Sequence, residues 1–259
     1  MLTRFLTAIT LLLAAATSAQ AGPEALRLGG KTQMGEVVDG DTLRLDDGTQ
    51  VRLVGIQAPM LSLGRPKVTD WPLAGQARDV LSQWALGQTV ELRYGGQEKD
   101  RNGRRLAHLI DGQGRWLQGE MLKAGWARVY SFPDNRSLVG EMLELERAAR
   151  AARRGIWNHP FYKVRIAKET EIGKGRFELV EDVVKRVNVW GRRTYLNMGN
   201  DEPATFAAAI VAENETAFAQ ARMMPRDLVG RRIRVRGWVV GDRQPIIEIT
   251  HPEQIEVLD

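Results

Sequence analysis

Apolar and polar residues alternate in short runs along the first third of the chain, a pattern that is typical of half-buried β-strands. Residues 38–45 form one run and residues 51–56 form another, with an Asp47-Gly48 turn signal between them. The second run stops before Pro59, since proline cannot donate to a strand ladder. The pattern predicts a β-hairpin that carries Asp39 and Asp41 on one arm and Arg52 on the other.

Helical periodicity appears twice in the first 160 residues. Residues 73–86 place their apolar side chains on one face, and residues 138–153 do the same, with Ser137 as the predicted cap. A short helix over residues 117–123 and strands over residues 90–94, 105–110 and 126–130 complete the pattern. Five short strands with interleaved helices match the small oligonucleotide-binding (OB) barrel.

A boundary is predicted at Asn158-His159-Pro160, and a second set of strands follows it. These strands cover residues 177–190, 193–198, 205–212, 231–240 and 245–250, with a short helix over residues 214–223 that Asn214 is predicted to cap. The layout again has five strands and one helix. The predicted fold is therefore mainly β with packed helices, as two small OB-like barrels in tandem over residues 22–159 and 160–259.

Composition narrows the classes of function. The 259 residues include no cysteine, which excludes disulfide scaffolds and thiolate metal sites. His108, His159 and His251 are the only histidines, and no two lie at metal-ligand spacing, so a zinc enzyme is not expected. The formal charge of +5 suits an anionic partner such as nucleic acid or an acidic membrane surface.

The first 21 residues have the pattern of an export signal. Arg4 precedes an apolar run over residues 6–16, and Ala19-Gln20-Ala21 fits the small-x-small cleavage pattern. The alternative is an uncleaved anchor, although the run is short for a spanning helix. We therefore expect a periplasmic or secreted protein with no membrane span after cleavage.

Four sequence blocks occur in a fixed order between residues 35 and 157. The first is Asp-Gly-Asp-Thr from Asp39, followed by Val-Arg-Leu-Val-Gly-Ile-Gln-Ala-Pro from Val51. The others are Asp-Arg-Asn-Gly-Arg from Asp100 with Leu-Ala-His-Leu after it, Leu-Lys-Ala-Gly-Trp-Ala from Leu122, and Gly-Ile-Trp from Gly155. Together they resemble the thermonuclease family, the staphylococcal-nuclease-like domains.

This resemblance implies a nuclease site built from two metal-binding aspartates, a catalytic glutamate and two arginines. Carried over by position, Asp41 is the first aspartate, and Arg52 and Arg104 are the catalytic arginines. The second aspartate falls on Gln57 and the glutamate falls on Met60. The residues that contact phosphate are thus present, whereas those that activate water are replaced.

Each retained residue allows a functional and a structural interpretation. Arg52 and Arg104 carry planar, permanently charged forks that match phosphate oxygens, or each pairs with a neighbouring carboxylate for structure. Asp41 could hold Ca²⁺ with the amide oxygen of Gln57, while Asp39 helps through water. One firm carboxylate in place of two predicts a weakened site. The alternative is that the hairpin aspartates only cap a turn.

The replacement of the glutamate by Met60 bears directly on catalysis. A thioether cannot accept a proton at neutral pH, and a general base contributes about 10²–10⁴ in rate. A substitute base could be Asp70, the one carboxylate in the loop over residues 60–71, or Asp39. Whether the protein is an active enzyme therefore stays open at the level of sequence.

Three arginines alternate with other residues late in the chain. On a strand, Arg232, Arg234 and Arg236 would share one face, and Trp238 continues it. Arginines beside an aromatic residue on an open barrel face could bind single-stranded DNA or RNA. The alternative is a solvated strand face whose arginine stems cover the barrel.

Three functions are compatible with these patterns. The first is an exported, calcium-dependent nuclease with a remodelled, weakened site. The second is a catalytically inactive descendant that binds nucleic acid or another polyanion in the cell envelope. The third is an envelope protein that uses its barrels for protein contacts.

Overall fold

The computed structural model describes residues 22–168, 172–200, 205–241 and 244–258, so the predicted signal peptide lies outside the described residues. The strands, in chain order, are β1 (Arg27–Asp39), β2 (Thr42–Leu45), β3 (Gln50–Leu53), β4 (Gly55–Gln57), β5 (Thr89–Tyr94), β6 (Arg105–Asp111), β7 (Arg128–Tyr130), β8 (Arg165–Ile166), β9 (Phe177–Trp190), β10 (Arg193–Met198), β11 (Phe206–Val211), β12 (Arg232–Val240), β13 (Ile246–Ile249) and β14 (Ile255–Val257). The helices are α1 (Ala74–Ala85), α2 (Leu117–Lys123), α3 (Val139–Ala151) and α4 (Glu215–Gln220).

The first barrel closes in the order β1-β2-β3-β6-β5. Its strands alternate inward apolar side chains with outward polar ones, so Leu43, Val51 and Leu109 are fully buried in one core. Leu81 of α1 and Leu122 of α2 pack against the same core, which the helices cover. The expectation of a five-stranded OB barrel with packed helices is confirmed.

Two local predictions in this barrel are wrong. The first arm of the hairpin is not one strand over residues 38–45, because the chain turns between β1 and β2 at Gly40 and Asp41. The second arm breaks after β3, since Gly55 has a φ of +85°, a backbone conformation that residues with a side chain rarely adopt. A Cβ on Gly55 would also lie 2.6 Å from the Sδ of Met142. The break redirects β4 away from the barrel and onto β7.

The two predicted helix caps are also wrong. Leu138 precedes α3 in a left-handed conformation, and the Ser137 hydroxyl donates instead to the Gly95 carbonyl at 2.6 Å. Asn214 precedes α4 but makes no capping hydrogen bond with its side chain. The hydrophobic faces, not the caps, therefore determine where these helices lie.

The second barrel contains β9, β10, β11, β13 and β12, and it closes because β12 also pairs with β9. Within this barrel, β11 and β13 pair in parallel, and the other neighbouring strands pair antiparallel. The short strands β8 and β14 extend the sheet at β9 and β12 and were not predicted from the sequence. Two small barrels in tandem, with the thermonuclease-like one first, are thus confirmed.

The barrels pack tightly against each other. Trp71, from the loop before α1, lies 5.9 Å from Trp238 of β12 between ring centroids. The Ser131 hydroxyl, after β7, hydrogen-bonds the Nε2 of His251 at 2.7 Å. Arg236 of β12 inserts its guanidinium against Glu146 of α3 at 2.8 Å. The junction therefore contains both aromatic and ionic contacts.

Over the described ranges, none of the helices has the length and apolar character needed to cross a membrane.

Candidate nuclease site

The turn between β1 and β2 places two carboxylates beside β3. Asp39 ends β1, Asp41 immediately precedes β2, and Arg52 lies on β3 opposite Thr42 in the antiparallel register. This register brings the Arg52 side chain across the turn. The predicted proximity of Asp41 and Arg52 is present in the structure.

Asp41 is buried and its carboxylate has partners on both oxygens. Oδ1 pairs with the Arg52 guanidinium and accepts the Thr42 hydroxyl at 3.0 Å. Oδ2 accepts the backbone N–H of Ala58 at 2.9 Å. Arg52 also donates to the Ile56 carbonyl at 2.9 Å, so its planar group is fixed. The ion pair with a neighbouring carboxylate, which was one of the two interpretations of Arg52, is thus present in the structure.

Gln57 and Ala58 supply oxygens that are engaged within the protein. The Gln57 amide oxygen lies 3.5 Å from an Arg52 nitrogen. Its amide nitrogen donates to the Ala58 carbonyl at 2.9 Å. Met60, half-buried, accepts the Trp71 N–H on its backbone carbonyl at 2.9 Å. Gln57 therefore lies beside Asp41 and Arg52, as predicted, while the Met60 main chain anchors the following loop.

Asp39 and Asp70 are the two carboxylates considered as substitute bases. Burial, reinforced by the negative charge of Asp41, raises the pKa of Asp39 to about 6. By contrast, hydrogen bonds from Ser62 lower the pKa of the exposed Asp70 carboxyl. Asp39 thus lies in the electrostatic environment of the site, whereas Asp70 serves to hold the loop at Ser62.

Arg104 lines the same cleft as Arg52. It donates to Asp100 through its Nε at 2.7 Å, and the Asp100 carboxylate also accepts its backbone N–H at 3.0 Å. The cleft has a volume of about 550 Å³ and is lined by Arg52, Arg104 and Asn102. Tyr130 and Phe132, from the end of β7, form its aromatic edge. Sequence patterns did not single out this pair of rings.

The arginine stripe on β12 needs correction. Arg232, Arg234 and Arg236 do lie on one face, but carboxylates of the neighbouring elements occupy that face. Arg232 and Arg234 pair with Glu181 at 2.7 and 2.6 Å. Arg236 is 1% exposed and pairs with Glu146 and with Glu256 at 2.5 Å. The expectation of nucleic-acid contact does not fit Arg236, because its guanidinium is buried at the junction of the barrels.

Trp238 also makes contacts within the protein. It packs against Trp71 and lies 6.2 Å from Phe177 between ring centroids. One edge of it lines a depression of about 220 Å³ together with Tyr130 and Phe132. Trp238 thus connects the loop after Met60 to the edge of the cleft.

The donor set at the Asp39–Asp41 turn is made of hard oxygens, which are the ligands that calcium prefers. Within residues 22–168, 172–200, 205–241 and 244–258, no group of three or more histidine, aspartate or glutamate side chains is placed to hold a metal ion. Two carboxylates, one amide oxygen and one main-chain carbonyl are nevertheless close together. Burial and, second to it, the negative charge of Asp41 raise the pKa of Asp39, and a bound cation would offset the repulsion between the two carboxylates.

Comparisons with known proteins match the first barrel to a nuclease family. A family model described as "Staphylococcal nuclease homologue" matches residues 50–159. The thermonuclease of Staphylococcus hyicus is 31% identical over 131 residues, which cover 48% of this chain and 73% of that enzyme. The thermonuclease of Staphylococcus intermedius is 30% identical over 129 residues, covering 47% of this chain and 72% of that enzyme.

A longer match extends past the first barrel. The endonuclease YhcR of Bacillus subtilis is 28% identical over 207 residues, which cover 71% of this chain and 15% of that much larger protein. Residues 1–159 make up less than 71% of the chain, so the matched region must include part of the second barrel. With its closed five-stranded barrel, the first half has the OB fold. The chain belongs to the staphylococcal nuclease, or thermonuclease, family.

Proposed function

We propose that this protein is an exported nuclease that hydrolyses phosphodiester bonds of DNA or RNA with a remodelled, weakened calcium site. The observation that carries this proposal is that Arg52 and Arg104 line one cleft, with Asp41 held against Arg52. Two guanidinium forks that line one cleft match the oxygens of one phosphate group. The family of the first barrel supports the same reaction class.

Each arginine has a distinct task in this proposal. Arg52, fixed by the Ile56 carbonyl and Asp41, would orient the scissile phosphate. Arg104, which Asp100 positions, would neutralise charge that develops on the phosphate oxygens. Donors that are fixed before the reaction stabilise the transition state without reorganisation, and each contributes about 10²–10³ in rate.

The residues at the turn fit calcium weakly. Asp41 and Asp39 would hold it, with the Gln57 amide oxygen and the Ala58 carbonyl as neutral ligands. A cation would have to compete with Arg52 for Asp41 and with the Gln57 amide for the Ala58 carbonyl. When bound, calcium would supply charge neutralisation next to the phosphate. We therefore expect a requirement for a high calcium concentration.

A second candidate function is binding without cleavage. The specific observation that favours it is Met60, at the position where the family resemblance implies a catalytic glutamate. Since a thioether accepts no proton, the cleft would hold a phosphodiester without activating water. Both candidates keep Arg52 and Arg104 as ligands of phosphate and differ only in turnover.

Export belongs to the same proposal. The pattern of residues 1–21 supports a periplasmic or secreted location, where free nucleic acid would be a substrate. A lack of cysteine suits an oxidising compartment as well as any other.

Digestion of single-stranded DNA and RNA, with calcium and with a chelator, tests the proposal. Cleavage that needs calcium and falls about 10²–10³-fold in Arg52→Ala would support a nuclease. Arg78→Ala is the matched control, because Arg78 is exposed on α1 and pairs only locally with Asp79. Binding without cleavage in the wild type would support the second candidate. Neither binding nor cleavage would overturn both and favour a role in protein contacts.

A further inference from the structure

The end of the β9–β10 hairpin exposes a large apolar surface. Trp190 is 79% exposed and Val189 is 74% exposed, the highest values among the large hydrophobic residues that the structure describes as exposed. The other six of the seven tryptophans pack into or against the hydrophobic cores. An isolated exposed valine needs no explanation, but an exposed indole beside a cavity indicates a binding surface.

A cavity of about 510 Å³ lies beside this indole. It is lined by Trp190, Tyr195, Asn188, Asn197, Gln244 and Ile246, which we call the Trp190 surface. Tyr195 lies opposite Asn188 in the β9–β10 register, so a ring and an amide stand next to each other on adjacent strands. Two aromatic rings and the exposed Asn188 amide provide stacking faces and a hydrogen-bonding group, the combination that unpaired bases require.

Cationic residues lie in the hairpin beside Trp190, and carboxylates of neighbouring elements pair with two of them. Residues 185–193 contain Lys185, Arg186, Arg192 and Arg193 and no carboxylate. Arg192 pairs with Glu213 and Arg193 pairs with Glu248 in exposed ion pairs. Exposed pairs of this kind contribute little to stability, so a phosphate can replace the carboxylate as partner at small cost. A polyanion with exposed rings is therefore the complementary ligand.

An aromatic path joins the Trp190 surface to the nuclease cleft. Tyr130 and Phe132 line the cleft and also the depression beside Trp238, and Phe132 is 45% exposed. The depression reaches Val240, which pairs with Ile246 of the Trp190 surface across β12 and β13. The route from Arg52 to Trp190 thus crosses the junction of the barrels over apolar and aromatic groups, and Glu248, which also lines the depression, is paired with Arg193.

We propose that the Trp190 surface is a subsite for single-stranded nucleic acid, where Trp190 and Tyr195 stack on bases of a strand whose phosphate occupies the cleft of Arg52 and Arg104. This subsite rests on the proposed function, since it extends the same bound strand. Unpaired bases are required because a duplex hides the faces on which these rings stack. The second barrel then contributes affinity for long strands and nothing for a ligand confined to the cleft.

The test compares fluorescein-labelled oligothymidylates of about 4 and about 16 nucleotides, the range of site sizes for OB domains. Trp190→Ala should weaken binding of the long probe by about tenfold to a hundredfold, because stacking on one base contributes that much. Binding of the short probe should stay unchanged. Trp190→Phe, which keeps a ring, should retain most of the affinity, and Val189→Ala should match the wild type.

Equal affinity of the wild type and Trp190→Ala for the long probe would overturn the subsite. Since Trp190 is exposed, an unchanged melting temperature is expected and would exclude misfolding as a cause. The proposed hydrolysis can be contradicted independently of the subsite. If the long probe binds through Trp190 but is never cleaved, the nuclease activity is contradicted and the subsite is supported. Conversely, cleavage that depends on Arg52 with no effect of Trp190 at either length would retain the nuclease and remove the subsite.

Discussion

Arg52 is fixed by oxygens of its own barrel. It pairs with Asp41 and donates to the Ile56 carbonyl, so its plane has a set orientation at the cleft. Lysine could not reproduce this arrangement because an ammonium group is a point charge without a planar fork. In the proposed function, the residue that limits chemistry is instead Met60, whose side chain offers no proton acceptor.

Restoring carboxylates at the two replaced positions should raise activity. Met60→Glu combined with Gln57→Asp would provide a proton acceptor and a second charged ligand for calcium beside Asp41. We expect the cleavage rate of single-stranded DNA to increase by about 10²–10⁴, the usual contribution of a general base. Initial rates at saturating calcium would measure this.

The matched control is Met60→Gln with Gln57→Asn, which introduces amides of the same size without the charge. It should cleave no faster than the wild type. If the carboxylate variant also stays at the wild-type rate, the base of this protein lies elsewhere. Asp39 would then be replaced first, because its carboxyl lies next to Asp41 whereas Asp70 is exposed and bonded to Ser62.

At the scale of elements, the loop between β4 and α1 is held by the second barrel. Trp71 packs against Trp238 of β12 and lies 5.7 Å from Phe161 between ring centroids. The Tyr162 hydroxyl donates to the Pro72 carbonyl. Because Met60 begins this loop, the second barrel fixes a segment that borders the candidate site.

Removal of one ring from this contact should loosen the loop. Trp238→Ala should increase tryptic cleavage after Lys67 by about fivefold, since an aromatic pair contributes about 1 kcal/mol and proteolysis follows the open population. Peptide mapping over time would locate the first cut. Trp190→Ala is the control because Trp190 is exposed and lies outside this contact. Cleavage that accelerates equally throughout the chain would indicate global unfolding and contradict a local tether.

The strand pattern of both barrels could be predicted from the sequence because alternating apolar residues report directly on a barrel core. The break at Gly55 could not, since neither its positive φ nor the close approach of Met142 from a distant helix is visible in the alternation of residues. Nor could the pairing of Arg236 with Glu146, which lie 90 residues apart. The arginine stripe has the same alternation whether it faces solvent or another barrel, so only the packing of α3 distinguishes these outcomes.

At the scale of the whole molecule, buried histidines couple stability to pH. Burial lowers the pKa of His251 to about 4, and burial likewise lowers the pKa of His108 to about 4. His251 holds the barrels together through Ser131 and also bonds Thr250 at 2.9 Å. Both rings are therefore neutral in the folded protein at neutral pH.

Acidification should destabilise the protein well above pH 4. The unfolded chain binds a proton on each histidine below about pH 6.5, whereas the folded protein binds it only below about pH 4. The contribution of each histidine to stability is thus complete above about pH 6.5 and falls as the pH decreases, by about 2 kcal/mol per histidine at pH 5. Asp39, whose pKa is raised to about 6, acts in the opposite direction over the same range. Urea unfolding at a series of pH values would measure the slope. His251→Gln should reduce it, and an unchanged slope in that variant would exclude His251 as a source.

The ionic cluster at the junction makes the two barrels depend on each other. Arg236 contacts Glu146 and Glu256, and Arg150 reaches Glu146 at 2.9 Å. Buried charges of this kind have lost their hydration, so each depends on its partners. The cluster also explains why this protein's positive charge is not all available to a ligand.

Removing one charge of the cluster should destabilise the protein more than replacing both members of an ion pair by apolar residues. Arg236→Met leaves two buried carboxylates with fewer partners and should destabilise the protein by about 3–5 kcal/mol, measured by urea unfolding. Arg236→Met with Glu146→Leu should recover part of this loss, because apolar side chains of similar size can replace a buried ion pair. Arg192→Met, which removes an exposed pair with Glu213, is the control and should change stability by less than about 1 kcal/mol. Equal losses in the single and double variants would mean that Arg236 stabilises the junction through its packing and not through its charge.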